Sequence, residues 1–258
     1  MKTLLSLLAL LVAATVVPAA QDTRCFEMRV YYAPEGKLDA LHKRFRDHTL
    51  KLFAKHGIEN LGYFVPVGAN PERKLIYFLA YPSLAARHAS WKAFMADPDW
   101  QKAYKASEVD GKLVAKVESA YLGATDYSPL AKAGTVGSRV FELRTYTTEP
   151  GRLPNLNARF RDHTVKLFER HGMANLAYWT PLADQKGAAS PPDVNNTLIY
   201  LLAHQSQDAA KASFGAFGKD PAWQAARKAS EEKAGGSLTI KGGVKSVFLV
   251  PTDYSPWK

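Results

Sequence analysis

Residues 26–64 reappear 115 positions later as residues 141–179, with 21 of the 39 aligned residues identical. Self-similarity of this length means that one supersecondary unit is used twice, so any fold must accommodate two like halves. The densest block is Arg-Phe-Arg-Asp-His-Thr at 44–49 and 159–164, followed by Lys-Leu-Phe and by His-Gly at 56 and 171. At a shift of 123 the match resumes: Leu75-Ile76-Tyr77 meets Leu198-Ile199-Tyr200, and Asp97-Pro98 with Trp100 meets Asp220-Pro221 with Trp223. The second copy therefore gains eight residues, within 183–196, a stretch rich in Gly, Ser, Pro and Asn that reads as an exposed loop. Both copies close with Thr-Asp-Tyr-Ser-Pro, at 125–129 and 252–256. The repeats are assigned to residues 24–130 and 139–258, with a short Ala/Gly linker between them.

Each copy parses alike. Residues 26–33 alternate in type and contain Val and Tyr, which predicts a strand. Leu38, Leu41, Phe45, His48 and Leu52 follow a three-four spacing that draws one stripe along a helix, and Gly57 or Gly172 ends it. Residues 58–67 and 74–81 are two more strands. Ser83 and Ser206 cap a second helix, and Asp97-Pro98 and Asp220-Pro221 open a further short one. A last strand near 114–122 or 244–250 completes β-α-β-β-α-β, the ferredoxin-like unit.

Strand one places Phe26, Met28 and Val30 on one face and Glu27, Arg29 and Tyr31 on the other. In strand three both faces are apolar: Leu75, Tyr77, Leu79 and Tyr81 oppose Ile76, Phe78 and Ala80. Covering both faces takes helices on one side and a second sheet on the other. The covalent second copy supplies that sheet, and this predicts an α+β fold in which the two repeats form an intramolecular pseudo-dimeric α+β barrel. Two units standing apart as separate beads are the alternative.

The pattern Phe-Glu-x-Arg-x-Tyr, a Gly-containing turn, then a helix with Arg-x-x-x-His and a terminal His-Gly resembles the NIPSNAP family, of the dimeric α+β barrel superfamily. The resemblance covers nearly all of the chain after residue 20, twice. It implies the barrel and brings no settled reaction with it.

Residues 1–20 differ from the rest: Lys2 precedes an apolar run from Leu4 to Val17 and then Pro18-Ala19-Ala20. This reads as a cleavable secretory signal peptide, with an uncleaved anchor as the alternative, and predicts a secreted or periplasmic protein. No second apolar stretch is long enough to span a bilayer. The net charge is +10, yet basic residues are scattered among acids, so nucleic-acid binding gains no support. Cys25 is the single cysteine, so no intrachain disulfide forms. An intermolecular bond or an inert thiol remain for it.

Candidate site residues come in pairs. His48 and His163 sit in the apolar helix stripe, where an imidazole is either a core group bonded to backbone or Tyr, or a general base at a pocket. Arg44 and Arg159, four residues earlier, hold an anionic group beside that imidazole or form salt bridges. Asp47 and Asp162 project about 100° away and read as surface residues. Glu27 with Arg29, and Glu142 with Arg144, form ion pairs inside or at the rim of the barrel, structural or ligand-binding, with Tyr31 and Tyr146 beside them. His56 and His171 suit the negative end of a helix dipole, and Asn60 and Asn175 bond local backbone. The seven histidines show no zinc-ligand spacing, and no phosphate loop or nucleophile elbow occurs, so no metal or cofactor is expected.

Two functional classes follow. The first is a binding protein for a small organic ligand or an envelope protein, either a monomer or a homo-oligomer of pseudo-dimers. The second is a cofactor-independent monooxygenase or isomerase of the kind found in the barrel superfamily, with His48 or His163 as base. A third reading makes the 183–196 loop the contact surface of an envelope assembly.

Overall fold

Strand and helix periodicities organise the computed structural model, which describes residues 21–137 and 139–258. The expected signal peptide lies outside these residues. Repeat one runs β1 (Cys25–Tyr32), α1 (Leu38–Arg44), a π-helical turn (Phe45–Thr49), α2 (Leu50–Lys55), β2 (Glu59–Pro66), β3 (Lys74–Tyr81), α3 (Leu84–Ala96), α4 (Pro98–Ser107) and β4 (Lys116–Ala124). Repeat two follows the same order: β5 (Val140–Thr148), α5 (Leu153–Arg159), a π-turn (Phe160–Thr164), α6 (Val165–Arg170), β6 (Ala174–Pro181), β7 (Thr197–His204), α7 (Gln207–Lys219), α8 (Pro221–Ala234) and β8 (Thr239–Pro251). β8 begins five residues before the apolar run that announces it, because its first part continues the ladder with β5 beyond a bulge near Thr148.

Each repeat is a four-stranded antiparallel sheet in ferredoxin-like order, and the two close into one barrel, β1-β3-β2-β8-β5-β7-β6-β4. The seams are short and equivalent. Phe64, Val65 and Pro66 pair with Pro251, Val250 and Leu249, while Leu122, Gly123 and Ala124 pair with Pro181, Thr180 and Trp179.

The apolar face of strand one turns into the barrel. Phe26, Val30, Phe64, Phe78, Phe141, Trp179, Leu201 and Leu249 form one core drawn from both repeats. The Phe78 ring stacks on Trp179 at 5.2 Å, and Phe64 meets Phe141 at 4.9 Å. A barrel of this size is filled by its own side chains, and Trp179 Nε1, buried there, has no partner, whereas Glu27 is answered by Arg87 and Trp91 from α3 on the other face. The expected placement of Glu27, Arg29, Glu142 and Arg144 inside or at the rim of the barrel is therefore corrected: they occupy the outer face, under the helices, where Arg87 and Trp91 answer Glu27 and His204 answers Glu142.

The closing Thr-Asp-Tyr-Ser-Pro motif does not stay with its own repeat. Tyr127 packs on Phe160 and Tyr178 of repeat two, and its hydroxyl donates to Asn157 Oδ1 at 2.9 Å. Asp126 accepts two bonds from Arg161, at 2.6 and 2.8 Å, and Ser128 Oγ accepts from the Tyr178 N–H. Reciprocally, Tyr254 packs on Phe45 and Tyr63 with its hydroxyl 2.7 Å from His42 Nδ1, Asp253 pairs with Arg46, and Ser255 Oγ accepts from the Tyr63 N–H. The second Arg of the repeated hexapeptide is thus the receptor for the other repeat's tail.

The inserted loop is not free either. Gln185 bonds the Tyr121 backbone at N and O, and Ala189 exchanges bonds with Ser119, so the loop of repeat two straps β4 of repeat one. Cys25 is buried, and burial pushes its thiol up to about 12, which makes it inert and unavailable for intermolecular bonding in the folded chain. No helix among the described residues is long and apolar enough to cross a membrane.

The energetic weight of the tail lies in packing, since Arg46 and Asp253 side chains are 44% and 63% exposed. Tyr254→Ala is expected to lower stability by about 3 kcal/mol, and Arg46→Ala by less than about 1 kcal/mol. Denaturant unfolding of both variants checks this order, and equal losses would contradict it.

Candidate functional site

The π-turn decides which residues of the repeated hexapeptide face inward. Thr49 Oγ1 donates to the Arg44 carbonyl at 3.1 Å and the Leu50 N–H bonds the Phe45 carbonyl, and Thr164 and Val165 repeat both bonds in repeat two. The wide turn inserts one residue into the helix and rotates everything after it. Thr49 and Thr164 become buried, while His48 and His163 lie exposed on the outer face. The expectation that these histidines occupy the buried stripe is corrected on this ground. Arg44 and Arg159, the last residues before the turn, are 4% and 7% exposed, each stacked over a Trp, Trp100 and Trp223 respectively.

Between the helices and the sheet of repeat one lies a cavity of about 260 Å³. Arg29 and Tyr31 from β1 form its floor, Arg44, Phe45, Thr49 and Phe53 one wall, and Trp91, Phe94 and Trp100 the other, with Tyr104 and Glu108 closing one end. Met95 and Tyr104, two of the exposed large apolar side chains, belong to the same lining. Three of the sequence candidates, Arg29, Tyr31 and Arg44, thus meet here, and His48 does not. It lines a separate outer groove with Lys51, Lys55 and Lys102.

Behind the floor, Glu27 is fully buried and accepts five hydrogen bonds: one from Arg29, two from Arg87 at 3.0 and 2.8 Å, one from Tyr81 and one from Trp91. Burial pushes its carboxyl up, but the two guanidiniums outweigh that and hold it below the usual carboxylate range. Arg29 also donates through Nε to Tyr77 and through Nη2 to Tyr31. Arg44 donates to Glu108 at 2.9 Å and to Ser107, while its Nε has no partner. Burial alone would also raise Glu108, and its bonds from Tyr104, Leu113 and Arg44 reverse that.

Repeat two keeps Glu142, Arg144 and Tyr146 but replaces Tyr81, Arg87 and Trp91 by His204, Ala210 and Phe214. His204 Nε2 lies 2.9 Å from Glu142, so one imidazole takes the place of three side chains and their four hydrogen bonds. His56 and His171 reach past the helix end to Asp97 and Asp220, the caps of α4 and α8, at 2.6 and 2.7 Å. Asn60 and Asn175 bond the Leu50 and Val165 carbonyls, as local backbone partners. Sequence reasoning missed Arg87 and Trp91 on α3, Tyr104 on α4 and Glu108 at the end of α4. The available signal was the divergence at aligned positions 81/204, 87/210 and 91/214, which cluster around one carboxylate.

Arg87→Ala leaves Glu27 with a single cation and is expected to cost about 3 kcal/mol. Tyr81→His combined with Arg87→Ala, the arrangement of repeat two, should recover at least about 1 kcal/mol of it in the same denaturant assay. Because the folded carboxyl is depressed, its contribution is complete above the unfolded value of about 4.3 and is lost as pH falls below it. The acid-side loss of stability should therefore be shallower in Arg87→Ala than in the parent, and identical pH slopes would count against the network.

The NIPSNAP family model matches residues 26–129 and 141–256. A comparison with curated proteins finds no match. Among solved structures, a "putative monooxygenase" from Fusobacterium nucleatum is 10% identical, with 89% of this chain and 92% of that one covered, at a TM-score of 0.56. An anthrone oxidase-like protein is 13% identical over 92% and 95% of the two chains, at 0.54. At these identities the likeness establishes the barrel fold alone. A NIPSNAP family protein from Agrobacterium tumefaciens is 28% identical, with 42% of this chain and 98% of that one covered, at 0.37. With both halves of the chain matched, this protein belongs to the NIPSNAP family.

Proposed function

We propose that this chain is an exported binding protein whose first repeat holds a small, largely aromatic organic ligand with a neutral oxygen at one end. The carrying observation is the helix–sheet cavity, in which Phe45, Phe53, Trp91, Phe94 and Trp100 surround a buried arginine with an unpartnered Nε. A dry apolar cavity of about 150 Å³ accepts a benzene ring, so about 260 Å³ has room for one or two fused rings. The rings supply apolar contact, and Arg44 supplies an orienting donor for an oxygen. The oxygenase or isomerase reading rests on His48 or His163 as base, and both line outer grooves away from this cavity. Export rests on the N-terminal segment, and N-terminal sequencing of the protein recovered from the cell envelope should begin near residue 20 or 21.

Calorimetric titration with 1-naphthol tests the cavity. Arg44→Met, which keeps the bulk and removes the donors, is expected to weaken binding at least tenfold, roughly one charged hydrogen bond. Met95→Gly, which copies Gly218 at the rim position, should weaken it a few-fold with the fold intact. Unchanged affinity in both variants would overturn the assignment.

A further inference from the structure

The aligned arginines of the two repeats are answered differently. In repeat one Arg44 Nη1 donates to Glu108 at 2.9 Å. In repeat two the corresponding carboxylate, Glu231, lies 3.8 Å from Arg159 Nη1 and accepts instead from Arg227 Nε at 3.1 Å. Arg227 stands where repeat one has Tyr104. One substitution has drawn the carboxylate off, and Arg159 retains only Ser230 Oγ at 3.4 Å, with its Nε unpartnered and its side chain 6% exposed. Desolvation of the guanidinium also lowers its pKa, in keeping with a buried charge that its neighbours do not fully answer.

Arg159 reaches a groove on the helix layer of repeat two. It lines this outer groove, of about 200 Å³, between α5 with its π-turn and α8, together with Asn155, His163, Ser230 and Lys233. Asp162 is the one carboxylate of that lining. Buried, incompletely paired cations are costly, and a guanidinium presents its donors in a fork that matches an oxyanion.

We infer that this groove is a binding site for a small tetrahedral oxyanion, phosphate or a phosphomonoester, with Arg159 as anchor and His163, Ser230 and Lys233 as flanking donors. Side chains from two helices approach from several directions, which suits a tetrahedral oxyanion better than a flat carboxylate. This gives His163 a role that its copy His48 lacks, because the groove at His48 contains no buried arginine. The site is independent of the cavity in repeat one.

Titration of the full chain with inorganic phosphate at fixed ionic strength, read by calorimetry and by the thermal midpoint, tests the site. Phosphate is expected to bind and raise the midpoint, while acetate at the same concentration does neither. Arg227→Tyr removes no donor from the groove but returns Glu231 to Arg159, as in repeat one, and should weaken phosphate at least tenfold. Lys233→Ala, at an exposed position, should weaken it about threefold. Equal phosphate affinity in the parent, Arg227→Tyr and Lys233→Ala, or acetate binding as tight as phosphate, would overturn the inference.

Discussion

Two open sheets bury their apolar faces against each other, and almost everything else in this molecule follows from that contact. Neither sheet has another partner for Phe26, Phe78, Phe141 or Trp179, because its helices already cover the opposite face. Barrel closure also removes the sheet edges that a lone repeat would leave exposed. The exchanged tails act in the same direction. Tyr127 and Tyr254 complete aromatic clusters in the repeat opposite their own, so each half is finished only by the other.

With the barrel centre committed to hydrocarbon, ionic groups have one place to go. Glu27 and Glu142 lie between sheet and helices, where Glu27 collects guanidinium, phenol and indole donors and Glu142 a guanidinium and an imidazole. Duplicated chemistry at such a location is free to diverge while the barrel stays fixed. Repeat one gathers Arg29, Arg87, Tyr81 and Trp91 on Glu27, whereas repeat two reduces the set to Arg144 and His204 on Glu142. A comparable exchange of Tyr104 for Arg227 changes which cation Glu231 serves. The two halves thus share a scaffold and differ in the electrostatics of their helix layers.

Local backbone geometry then sorts the repeated hexapeptide into distinct tasks. The Thr hydroxyl bonded to the carbonyl five residues back widens one turn. Of the two arginines, the first is buried against Trp and the second reaches the opposite repeat's tail. The histidine is left outside. A block of identity that looks like a catalytic signature is, in repeat one, mainly an assembly device, and the cavity draws on only three of its residues, Arg44, Phe45 and Thr49.

The sequence by itself determined the duplication, the βαββαβ order, the strand faces, the glycine ends of α2 and α6, the serine and aspartate caps, and the need for a second sheet. These are readable because periodicity and capping act over a few residues, and because a repeat shows its own boundaries. It also marked Arg44, Tyr31 and Arg29 as worth following. Only the tertiary structure decided that the Glu-Arg pairs lie outside the barrel, that the closing motif crosses to the other repeat, and that one wide turn moves His48 and His163 out to solvent. Those outcomes depend on which donors arrive from elements dozens of residues away, and on a single extra residue per turn, which a three-four spacing of apolar residues does not register.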